Sequence, residues 1–128
     1  MKNLIHLSIA IAMSILLAGC SKQSSEEIAT RDNMHKLHSS LMDYWEENEK
    51  RWPESLEELV GDEVEELMTN PITGDNPGYR YTKPDLTDLS AEVEGGQSRA
   101  ASVAVIEQLR NGEVDDSLRK LYADGSVR

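Results

Sequence analysis

Residues 44-59 read YWEENEKRWPESLEEL, and the Trp52-Pro53 step near their middle divides the chain into a helical half and a looped half. Proline pushes its predecessor out of the helical region, so the spacing predicts that a helix entering this stretch stops before Trp52. Proline also suits the first position of a new helical turn, and Glu54 to Val60 follows it with Leu56, Leu59 and Val60 on one side. Upstream, from Ser25 to Lys50, there is neither Gly nor Pro, and Met34, Leu37, Leu41, Tyr44, Trp45 and Asn48 recur at helical spacing. That is one amphipathic helix, about 39 Å long if it runs the whole way, with Ser24 and Glu27 placed as a capping box at its start.

Downstream the elements shorten. Gly61 closes the turn after Pro53, Glu63 to Met68 offers a second short helix, and Asn70-Pro71 breaks it. Residues 70-78, NPITGDNPG, are almost entirely turn vocabulary and predict a structured loop. Tyr79 to Thr82 and, more weakly, Leu89 to Val93 alternate as strands. Ala100 to Leu109 reads as strand because of its cluster Val103, Ala104, Val105 and Ile106. A loop at Asn111-Gly112 follows, and Asp124-Gly125 predicts a closing hairpin with a type I′ turn. The expected fold class is α+β, a long N-terminal amphipathic helix packed on a small antiparallel β-sheet.

The chain has 128 residues, one Cys and a formal charge of −11. That length holds one small domain, and a single Cys excludes an internal disulfide framework. The acidic excess opposes a nucleic-acid groove or an anionic lipid surface as partner. Residues 1-19 carry Lys2, an apolar run from Leu7 to Leu17 broken only by Ser8 and Ser14, and the small pair Ala18-Gly19. They read as a secretory signal peptide, because the run is well short of the roughly 20 residues that span a bilayer. Without them the formal charge is −12, since Lys2 is their only charged residue. Cys20 and residues 21-27 then form a polar tether, and residues 28-128 the domain.

Leu17-Ala18-Gly19-Cys20 resembles the lipobox of bacterial lipoproteins, which implies a diacylglycerol thioether and acyl chains such as palmitate on Cys20. The chain would then be held on a membrane of the cell envelope, facing the periplasm or the surface. Ser21 in place of Asp favours the outer membrane over the inner. Tyr44, the run Trp52 to Leu59, the loop Asn70-Pro71, Gly74, Asn76-Pro77-Gly78 with Tyr79 and Tyr81, and the ending Leu121-Tyr122-Ala123-Asp124-Gly125-Ser126-Val127 come in the order found in the major pseudopilins of type II secretion systems. Over residues 34-128 the chain resembles the pilin-like periplasmic domain of that family. The resemblance implies a role through protein contacts with a secretion or pilus-like apparatus. It does not reach the N-terminus, where the lipobox replaces the family's filament helix, and Ile72-Thr73 lengthens the turn by one residue.

The same resemblance implies calcium near Asp85 and Asp88, oxygen ligands suited to a hard cation; two aspartates in a proline-containing turn also simply cap backbone groups. His35 and His38, with Asp32 a turn earlier, share a helix face at metal-pair spacing but lack a placed third ligand. Tyr44, Trp45 and Trp52 are candidates for a partner-binding surface, although in a chain without Phe they are also the aromatic core. The glutamates from Glu46 to Glu66 read as solvated helix faces. No nucleophile elbow, phosphate loop or zinc-hydrolase motif occurs, so the sequence predicts a protein that is not an enzyme. A calcium- or ligand-binding periplasmic lipoprotein unconnected to secretion is the alternative.

Overall fold

The computed structural model describes residues 24-59, 62-93 and 95-128. The expected signal peptide, Cys20, the tether through residue 23, and Gly61 as a helix stop lie outside the described residues. Helix α1, Ser25–Glu47, opens on Ser24, whose hydroxyl accepts from the Glu27 amide at 3.2 Å. It takes in Ser25 to Glu27, the last residues of the expected tether. Its buried stripe is Thr30, Met34, Leu37, Leu41 and Trp45.

The helix ends earlier than Trp52-Pro53 demands. The Asn48 backbone N–H and its Nδ2 both donate to the Tyr44 carbonyl, at 2.9 and 2.8 Å, so the side chain competes with the next helical turn. Glu49 and Lys50 then adopt left-handed backbone, φ 57° and 61°, and the Lys50 N–H bonds back to the Trp45 carbonyl. Pro53 follows a helix that has already stopped. After a 3-10 turn at Leu56–Glu58 comes α2, Asp62–Leu67.

The strands are β1 Tyr79–Tyr81, β2 Glu92–Val93, β3 Gln97–Ser98, β4 Ala104–Arg110, β5 Glu113–Val114 and β6 Leu121–Tyr122. Strand β4 is central and every pairing is antiparallel: Ile106 lies between Tyr81 of β1 and Leu121 of β6, and β5 pairs the far end of β4. β2 and β3 form a separate two-stranded ribbon. The α+β class is therefore present, with a 23-residue helix and a small four-stranded sheet. The expected strand from Ala100 divides: Arg99–Ser102 is a 3-10 turn, and only Ala104 onward is sheet.

The two glycine hairpins exchange roles relative to expectation. Asn111 (φ 53°) and Gly112 (φ 80°) both take positive φ between paired Arg110 and Glu113, the requirement of a two-residue type I′ turn. At the closing hairpin only Gly125 does so (φ 89°), the Gly125 N–H donating to the Tyr122 carbonyl and the Tyr122 N–H to the Ser126 carbonyl. That is a three-residue loop with a left-handed glycine, not the type I′ turn expected at Asp124-Gly125. Met34, Leu37, Leu41, Ile106, Leu121 and Ala123, all fully buried, make the contact between helix and sheet.

Candidate functional site

A cavity of about 130 Å³ opens at the N-terminal end of α1, where the helix crosses the loop 70-78 and the segment leading into β6. Thr30, Met34 and Gln108 line its inner part, with Arg31, Leu118 and Arg119 around them. An amide chain fixes these walls. The Asn70 side chain, wholly buried, donates from Nδ2 to Gln108 Oε1 at 2.9 Å, and Gln108 Nε2 donates to the Arg119 carbonyl at 3.0 Å. Asn70 Oδ1 accepts from the Ile72 and Thr73 amides, folding the loop over its own first residue. Gly78 closes that loop; a Cβ there would fall 2.4 Å from Asn70 Cβ, closer than atoms can approach. Asp75 then ties the loop to the tip of the β4-β5 hairpin by accepting from the Gly112 N–H.

Thr30 is 2% exposed and its Oγ1 has no hydrogen-bond partner. The Tyr79 hydroxyl faces Thr30 and Asn33 from β1 without closing a bond of good geometry, and burial holds its pKa above the ordinary value. Arg119 makes no ion pair or side-chain hydrogen bond among the described residues. The lining contains no His or Cys, and the Ser117 hydroxyl is committed to Asp115 at 2.5 Å. Such a lining can bind a polar group but pairs no nucleophile with a base.

The residues singled out from the sequence fall elsewhere. Trp45 and Trp52 are buried and pack 6.4 Å apart, centroid to centroid, at 48°. Trp52 Nε1 donates to the Leu86 carbonyl at 2.7 Å, and Lys50 lies 4.6 Å over the Trp45 ring. Trp52, packed on Trp45 of α1, thus fastens the segment after the helix to the loop that carries Asp85 and Asp88. Tyr44 is half-buried beside Asp43, Glu47 and Glu58 in an open acidic groove. Asp85 is exposed. Asp88 accepts from the Ser90 hydroxyl and amide, which lower its pKa, so its carboxylate caps its own turn. Among the described residues no three His, Cys, Asp or Glu side chains cluster as metal ligands.

The histidine pair separates. His38 Nε2 donates to the Ala123 carbonyl at 3.1 Å, while His35 is exposed. The outer face of the sheet carries Glu107 between Arg80 and Lys120, at 2.7 and 2.9 Å, with Asp116 also on Lys120 at 2.8 Å. Lys120 first and Arg80 second hold the Glu107 carboxyl below the usual range.

Sequence reasoning passed over Thr30, Asn70, Gln108 and Arg119. Gln108 had a usable signal, an amide two residues after Ile106 and so on the same, inward face of the strand. No helix of the described residues is long and apolar enough to cross a membrane. Set beside family models, curated proteins and solved structures, the chain matches none.

Proposed function

We propose that the chain is a non-enzymatic lipoprotein of the bacterial cell envelope, anchored through Cys20, whose pseudopilin-like domain works by protein contacts as an accessory to a type II secretion or pilus-like apparatus. The observation that carries this reading is the placement of Leu17-Ala18-Gly19-Cys20 four residues before the N-cap of α1. A lipidated thiol there is joined to the domain by a tether of at most about 14 Å when fully extended. Two or three acyl chains, at about 0.8 kcal/mol per buried methylene, hold such a protein on the membrane without any spanning helix. The pilin-like role rests on the resemblance of the sequence motifs and their order to the pseudopilins, which supports a function only by analogy.

The test is Cys20→Ser. The wild-type chain is expected in the detergent-extracted membrane fraction with an N-terminal peptide heavier by its acyl groups. The variant is expected to lose both the added mass and the membrane association. A variant with unchanged mass and fractionation would remove the anchor and the function built on it. Crosslinking in cells to secretion-apparatus proteins, scored in the same two strains, tests the accessory role.

A further inference from the structure

We propose that the cavity beside Thr30 is a binding site for the zwitterionic phosphate headgroup of a phospholipid, seating the base of the domain on the membrane. The proposal rests on the lipid anchor at Cys20, because the short tether keeps the first turns of α1 within reach of the headgroup layer. Three independent features of the lining match a phosphate carrying an aminoalkyl arm. Arg119 is exposed and without an ion pair among the described residues, and a guanidinium pairs phosphate oxygens through two parallel hydrogen bonds. Thr30, on the cavity wall, has a buried hydroxyl that meets the Tyr79 hydroxyl without closing a hydrogen bond of good geometry, and a phosphate oxygen entering the cavity would satisfy it. Glu27, also on the lining and exposed, supplies the carboxylate for an ammonium.

Charge decides between lipid classes. With a formal charge of −12 after removal of residues 1-19, the chain is repelled by an anionic surface, whereas a headgroup with no net charge incurs no such penalty. Size decides between parts of the lipid. At about 130 Å³ the cavity is of a size for a headgroup fragment and well below the roughly 300–1,000 Å³ of pockets that take larger ligands. Leu118 and Val127 on the wall then contact carbon, while the polar groups read the charges.

The experiment uses the full chain as cells make it, purified from whichever fraction holds it, and follows the Arg119 side-chain N–H and the Thr30 amide by NMR. Glycerophosphoethanolamine is titrated first and inorganic phosphate second. The expected result is saturable shifts of both signals with glycerophosphoethanolamine, at least tenfold weaker binding of inorganic phosphate, and about tenfold weaker headgroup binding in Arg119→Gln and in Thr30→Val. Thr30→Val keeps the side-chain shape, and because the Tyr79 hydroxyl faces that position its thermal midpoint is measured beside binding to establish that the variant is folded. Equal affinity for inorganic phosphate, shifts that persist in both variants, or no shift at all each overturn the proposal. Mass analysis of Cys20 in the same sample separates the two ideas: binding without acylation removes the anchor and leaves the pocket, and acylation without binding does the reverse.

Discussion

The loop 70-78 and the loop 85-90 both carry polar turn residues, and they are held in opposite ways. In the first, a wholly buried Asn70 turns its amide inward to Gln108 and its oxygen onto the Ile72 and Thr73 amides. In the second, Asp88 faces water and bonds only to Ser90, two residues on. The second loop joins the core at Leu86, through its buried side chain and the carbonyl that receives Trp52 Nε1. A buried amide must find partners on other elements, so it organises the fold around itself. An exposed carboxylate already satisfied by its own turn imposes nothing beyond that turn.

The largest effect should come from removing the buried amide. Asn70→Ala strands the buried Gln108 Oε1, at about 1–3 kcal/mol for a buried group left unsatisfied, and takes the acceptor from the half-buried Ile72 and Thr73 amides. The expected loss is about 3–5 kcal/mol, read as a lower urea midpoint with unchanged slope. A loss under about 1 kcal/mol would mean that the amide chain is incidental, and the contrast between the two loops would fail.

The two glycine hairpins extend the comparison to backbone conformation. Gly112 and Gly125 both hold positive φ, yet a Cβ on Gly112 meets nothing within 4 Å, whereas one on Gly125 falls 2.9 Å from His38 Cε1. Valine at either position bears the backbone strain, about 1–3 kcal/mol. Only Gly125→Val also displaces His38 from the Ala123 carbonyl, a hydrogen bond contributing about 1 kcal/mol. Gly125→Val is therefore expected to lower the urea midpoint more than Gly112→Val. Equal losses would show that α1 and the closing hairpin are not coupled through His38.

What the sequence made legible follows the same division. Local signals, such as the buried stripe of α1, Ser24 as its cap and Tyr79 to Tyr81 as strand, were readable because each depends on neighbours a few residues away. Asp124-Gly125 and Asn111-Gly112 are interchangeable by composition. Which one closes in two residues depends on the register of β4 against β5 and β6, set far along the chain. The end of α1 was misplaced because proline is a conspicuous stop, while the Asn48 amide that bonds back to Tyr44 looks like any polar helix residue. The cavity was hidden for the strongest reason. Thr30, Gln108 and Arg119 come from a helix, a strand and a connecting segment, and nothing local to any of them announces the other two.

The smallest effect is expected where the sequence placed a cation. Asp88 is spent on Ser90, and with Asp85 it finds no third carboxylate or imidazole clustered beside it among the described residues. Asp85→Ala with Asp88→Ala should therefore leave the urea midpoint at pH 7 close to that of the parent. Calcium at millimolar concentration should move neither melting curve, whereas a site loaded a hundredfold above its Kd would stabilise the parent by about 2.7 kcal/mol. Acid gives an independent reading of the same turn. The Ser90 bonds depress the folded-state pKa of Asp88, so its contribution is present above the unfolded carboxylate pKa and is lost as pH falls through the folded one. The double variant should accordingly lose slightly less stability than the parent between neutral pH and that lower value. A calcium-dependent rise in the parent's melting temperature, abolished in the double variant, would instead make this loop a ligand site and reverse the contrast with Asn70.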